Sequence, residues 1–117
     1  MIAVQDVEAS SAWYQKLLAC LSNHGGSEFD RLVSGNEVIL LLHHWGAPEH
    51  PSMHSPSDGG VGNGLVIYFR VDNLDATFRR AKDLDAHIVQ QPRLNEISHQ
   101  REFELKDPDG YHLTVCE

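Results

Sequence analysis

The chain has 117 residues, 41% of them hydrophobic and 22% charged, with a formal net charge of −8 when histidine is counted neutral. That is one domain's worth of an ordinary globular protein, enough for one core but not for two independent ones. The acidic balance argues against nucleic acid, which calls for a basic stripe, and suits a cationic small ligand as well as plain solubility; the absence of any membrane-length apolar run or signal-type N-terminus reads as cytoplasmic, without membrane contact.

In chain order, Ile2 to Gln5 reads as a short strand. Asp6 is a good helix N-cap, Glu8 suits the first turn, and Val7, Tyr14, Leu17, Leu18 and Leu21 fall at helical spacing, so a helix is predicted to about Cys20. Asn23-His24-Gly25-Gly26 breaks it. Phe29 to Val33 and Glu37 to His44 read as strands about a turn at Ser34-Gly35-Asn36. Pro48, Pro51 and Pro56, then Asp58-Gly59-Gly60 and Gly62-Asn63-Gly64, mark a long loop between two modules. Leu65 to Val71 is the next strand. Asn73 caps a second helix with the stripe Leu74, Phe78, Ala81 and Leu84. His87 to Gln90 reads as a short strand and Gln91 to His99 as a loop around Pro92. Arg101 to Lys106 and Tyr111 to Cys116 form a hairpin about Asp107-Pro108-Asp109-Gly110, with Pro at the second turn position and Gly at the last. The two cysteines, Cys20 and Cys116, have no CxxC spacing and read as small buried hydrophobes.

The chain repeats itself. Val4-Gln5-Asp6-Val7-Glu8-Ala9-Ser10 recurs in character as Val71-Asp72-Asn73-Leu74-Asp75-Ala76-Thr77, just over half a chain later. Each half reads as a strand, a helix and two or three further strands. The boundaries are a first module at 1–46, a linker at 47–63 and a second module at 64–117, within a single domain.

This duplicated βαβββ unit, with Phe69-Arg70-Val71-Asp72-Asn73-Leu74-Asp75-Ala76 opening the second copy and Phe103 to Val115 closing it through Asp107-Pro108-Asp109-Gly110, resembles the vicinal oxygen chelate superfamily of glyoxalase, bleomycin-resistance and extradiol dioxygenase relatives. The resemblance covers nearly the whole chain. It implies an α+β fold in which two βαβββ modules form a curved mixed sheet around a cavity. It also implies, for the metal-dependent members, four side chains holding one divalent ion that chelates the substrate. The family's closing carboxylate falls four residues after the turn glycine, at Thr114 here and at Ile39 in the first module. The other ligand falls seven residues before the helix cap, at Val66, with its counterpart preceding Met1. Ile and Val have no lone pair, and a lone Thr hydroxyl is a poor ligand for a divalent ion. The sequence therefore predicts no metal, no cofactor and no catalytic residue of the family's usual kind.

Four histidines crowd together at His43, His44, His50 and His54. Adjacent His43 and His44 on a strand point to opposite faces, and the prolines disfavour the helix that would bring His50 and His54 together. By alternation from the family's inward positions, the cavity face carries Ile39 with Glu37, Leu41 and His43; Val66 with Tyr68 and Arg70; and Thr114 with His112 and Cys116. Phe103 and Leu105 fall on the helix side, which leaves Glu102, Glu104 and Lys106 opposite. The candidate ligand-binding residues are Ile39, His43, Val66, Tyr68, Arg70, Glu104, His112 and Thr114. Arg70 is placed to pair with a ligand carboxylate or with Glu104, and His112 to act as a base at neutral pH. No nucleophile elbow or phosphate-binding glycine loop is present. The functional expectation is metal-independent binding of a small molecule, as in sequestration or resistance, with a homodimer implied by the resemblance. Two alternatives stand beside it: a divergent enzyme of lyase, glyoxalase or dioxygenase type, and a structural domain with a filled core.

Overall fold

The computed structural model describes residues 1–56 and 60–117, so the Asp58-Gly59 part of the linker lies outside the described residues. The chain divides into two compact units, Met1–Gly60 and Val61–Glu117. Among the described residues no helix is long and apolar enough to cross a membrane.

The first unit runs β1 (Ile2–Val4), α1 (Val7–Leu18), β2 (Leu21–Ser22), β3 (Phe29–Ser34) and β4 (Glu37–His44), with the strands in the order β1-β4-β3-β2. Asp6 is extended at φ −138°, and its Oδ1 accepts the Ala9 N–H at 2.9 Å, satisfying one of the amides a helix start leaves open. Val7, Ser10, Ser11, Tyr14 and Leu17 form the buried stripe of α1. Leu32, Leu40 and Leu42 are buried on the strands. The helix stops sooner than its apolar spacing predicts. Ala19 turns left-handed at φ 52°, so Leu21 leaves the helix, joins a two-residue strand and is 68% exposed. Strict alternation also fails on β4. The register slips between Leu32 and Val33, which pairs Val38 with Val33 and makes Ile39 the extra residue of a bulge. Val33 shares the face of Phe29 and Arg31, so the bulge moves Val38 onto that face and Glu37 off it.

Asp30 anchors the loop that follows β2. Its buried carboxylate accepts hydrogen bonds from Ser11 Oγ at 2.5 Å, Ser22 Oγ at 2.7 Å, the Gly25 amide at 2.7 Å and the Arg31 amide at 2.7 Å.

The second unit repeats the first: β5 (Val66–Arg70), α2 (Leu74–Asp83), β6 (His87–Asn95), β7 (Gln100–Lys106) and β8 (His112–Cys116), in the order β5-β8-β7-β6. The duplication read in the sequence extends to the caps. Asn73 sits at φ −137° and accepts the Ala76 N–H at 2.9 Å, the same arrangement as Asp6 with Ala9. Leu74, Thr77 and Ala81 are buried on α2, and Phe78 meets Phe103 edge-on at 5.1 Å between ring centroids. The closing turn holds as its residues dictate. Asp107 Oδ1 accepts the Asp109 and Tyr111 amides at 3.0 and 2.8 Å, and Gly110 takes φ 98°. The segment after Gln90 is not the loop its proline suggests. β6 continues through Pro92 to Asn95, because it is an edge strand where a missing N–H costs no ladder bond, and two register shifts against β7 absorb the misfit.

Candidate functional site

The register of the second sheet sets out three cross-strand rows on the face turned away from α2. The first runs Val66, His112, Lys106 and His87; the second Tyr68, Thr114, Glu104 and Gln90; the third Arg70, Cys116, Glu102 and Arg93. Partners in register project to the same side of a sheet. Phe69, Phe103, Leu105, Leu113 and Val115 fall on the opposite side and are buried. Of the candidates read from the sequence, the structure thus brings together Val66, Tyr68, Arg70, Glu104, His112 and Thr114.

The floor of this face is small and buried at Thr114 and Cys116. Its β5 margin is open, with Val66 47% and Tyr68 65% exposed. Glu104 is half-buried and faces His112, the two lying 3.0 Å apart at Nε2 and Oε2, and its other oxygen lies 4.0 Å from the Arg93 guanidinium. Glu102 is buried and accepts a hydrogen bond from Asn95 Nδ2 at 2.7 Å. With the Glu104 carboxylate as acceptor, the imidazole donates through Nε2–H. The pairing of Arg70 with Glu104 offered by the sequence is not made, since His112 and Arg93 occupy that carboxylate. Arg93 and Asn95 are site residues that the sequence reading missed, because Pro92 made their segment look like a loop. The signal that finds them is that an edge strand tolerates proline.

Ile39 and His43 belong to the first unit. Ile39 is half-buried at the β4 bulge. His43 is buried, with its ring 4.9 Å from His44 and 5.1 Å from His50 between centroids, and its Nε2 3.5 Å from Glu49 Oε1. The Glu49 carboxyl is held below the usual carboxylate range by its own backbone amide and then by the neighbouring imidazoles. The segment after β4 is stapled into turns rather than loose. Gly46 N donates to Met53 O at 2.8 Å, and Met53 N to His50 O at 2.9 Å. It borders an open surface pocket of about 340 Å³ lined by Gly46, Ala47, Pro48, His50, Pro51, Met53 and His54.

The metal implied by the family resemblance does not fit these residues. Val66 and Thr114 share the face of the second unit, yet one is apolar and the other offers a single hydroxyl. The nearest stronger donors, His112 and Glu104, bind each other, and two donors fall short of the three or four a transition-metal site uses. Among the described residues no group of three or more His, Cys, Asp or Glu side chains is placed to hold a metal ion.

A family model described as the Glyoxalase/Bleomycin resistance protein/Dioxygenase superfamily matches residues 1–115. The chain belongs to this superfamily. Solved structures share its fold at low identity. A glyoxalase/bleomycin resistance protein/dioxygenase family enzyme from Burkholderia phytofirmans superposes with a TM-score of 0.77 at 21% identity, over 98% of this chain and 92% of the other. TioX from Micromonospora sp. ML1 gives 0.71 at 18%, covering 98% and 90%. An integron cassette protein from Vibrio cholerae gives 0.72 at 23%, covering 98% and 88%. No curated protein matches the chain. The superfamily's duplicated βαβββ pattern is the one seen in the two matching sheet orders.

Proposed function

We propose that this superfamily member binds a small organic molecule on the face of its second sheet, without the divalent ion on which metal-dependent relatives rely. One observation supports this above the others. Val66 and Thr114, the positions that the family resemblance assigns to metal ligands, share a face with Tyr68, Arg70, His112 and Glu104. An apolar patch with a few convergent polar groups suits small-molecule recognition. By similarity to the superfamily's sequestering members, the protein is proposed to act as a homodimer, which sedimentation at micromolar concentration tests. The deciding experiment is a small-molecule screen by amide NMR on the full chain in EDTA. Hits that shift the amides of Val66 to Arg70 and of Thr114 support the reading; hits that need added metal overturn it.

The His112–Glu104 contact favours a second reading, acid–base catalysis. Glu104 would orient the imidazole so that Nδ1 takes or returns a proton, a positioning role whose loss in Glu104→Gln should lower turnover and shift the pH profile. Any substrate conversion by a ligand found in the screen, at a rate that His112→Ala abolishes, would move the account to this reading.

A further inference from the structure

We infer that the molecule held on this face is planar and anionic, with an aromatic carboxylate as its simplest form; this rests on the binding face proposed above. The charges on the face divide into those already engaged and those that are not. Glu104 is occupied by His112 at 3.0 Å and lies beside Arg93. Glu102 points toward the far strand, where Asn95 donates to it at 2.7 Å. Glu104 already has His112 and the Arg93 guanidinium beside it, and Glu102 is buried with Asn95 as donor, so an incoming cation gains less at either than at an exposed, unpartnered carboxylate. Arg70 is in the opposite position. Its row neighbour is the neutral Cys116, and among the described residues no carboxylate pairs with it. Arg101, by contrast, is clasped by Asp75 at 2.9 Å and Glu117 at 3.0 Å. The overall charge of −8 attracts cations at long range. Within a Debye length of about 8 Å the local arrangement decides, and the exposed charges of this face with no carboxylate partner among the described residues are cationic, the Arg70 guanidinium beside Tyr68 and the Lys106 ammonium beside His112.

The rest of the ligand follows from what leads up to Arg70. Val66, Tyr68 and Arg70 alternate along β5 and project together, successive members about 7 Å apart at the strand's rise per residue. The first two are large apolar groups left exposed. A flat apolar body laid along Val66 and Tyr68 therefore reaches Arg70 with one end. A carboxylate there meets the guanidinium fork in two parallel bonds, while the ring stacks on Tyr68. At the Val66 end, His112 stands next in register, held by Glu104 through its Nε2.

The test uses three probes that share one ring: 2-naphthoate, 2-naphthylmethanol and 2-naphthylmethylammonium, titrated against the labelled full chain at pH 7 in EDTA. The expected result is saturable shifts on β5 and β8 with 2-naphthoate, at least about tenfold tighter than with the alcohol and tighter still than with the ammonium. Arg70→Met should bring 2-naphthoate down to the alcohol's level and leave the alcohol's affinity and the melting temperature unchanged. Tyr68→Ala should weaken both. Naphthoate no tighter than the alcohol, the ammonium binding best, or an Arg70→Met variant that keeps its preference overturns the anionic assignment while the binding face stands. If none of the three probes shifts these amides, the planar-anion inference fails, and the face itself is then decided by the wider screen in EDTA.

Discussion

Asp30→Ala should be among the most damaging single substitutions in the first unit. The side chain is 2% exposed, and its carboxylate accepts bonds from Ser11, Ser22, Gly25 and Arg31 at 2.5 to 2.7 Å. A hydrogen bond to a charged group is worth about 1.5–3 kcal/mol when its partner cannot turn to water. Gly25 is exposed and Ser22 half-buried, so water takes over those two; Ser11 is buried and, with the Arg31 amide, keeps most of the loss. The expected cost is about 3–5 kcal/mol, a large part of the stability of a small domain. Urea unfolding followed by far-UV circular dichroism measures it. Acid titration supplies a second readout. Burial pushes the Asp30 carboxyl's pKa up, but the bonds from Ser11, Gly25, Ser22 and Arg31 outweigh burial and hold it below the ordinary 3.8. A folded-state value below the unfolded one means the contribution is fully present above the unfolded pKa and disappears as pH falls through the folded one. Asp30→Asn should therefore lose less stability between pH 5 and pH 2 than the parent protein. A cost for Asp30→Ala within about 1 kcal/mol, or an unchanged acid limb in Asp30→Asn, would refute the reasoning.

Other substitutions test the second unit. Asn95→Ala removes the donor to buried Glu102 and the oxygen that accepts the Ile97 and Ser98 amides at 2.9 and 3.2 Å, and should cost about 2–3 kcal/mol in urea unfolding. Gly62→Ala places a Cβ 2.6 Å from the buried Tyr111 ring at φ 67°, whereas Gly64→Ala at φ 83° meets nothing within 4 Å. The first should cost about 2–4 kcal/mol and the second about 1, so near-equal thermal shifts in the pair would contradict the packing of Tyr111 beneath Gly62.

Much of the fold was legible because its signals are local and strong. Asp6 and Asn73 are caps by side-chain chemistry, and the Asp107 turn is fixed by the residues it contains. Alternation placed Tyr68, Glu104, His112 and Thr114 on one face because β5, β7 and β8 pair there without a slip. Where β4 bulges at Ile39, the same rule failed for Glu37. Leu21 fits a helical stripe equally well inside and outside the helix, and the left-handed turn at Ala19 has no glycine to announce it. Pro92 hid Arg93 and Asn95, since edge position depends on strand order rather than on local sequence. The choice of Glu104 between Arg70 and His112 depends on how far long side chains reach across neighbouring strands, which periodicity does not encode.

The central claim is that the superfamily scaffold is kept here while its metal positions are chemically disabled. The most direct test is titration of EDTA-stripped protein with Ni²⁺, Zn²⁺, Mn²⁺ and Fe²⁺, followed by calorimetry and by amide shifts. The account predicts no sub-micromolar site and no response centred on Val66, His112 and Thr114. A sub-micromolar site whose binding shifts those amides, and which is lost in His112→Ala, would contradict it.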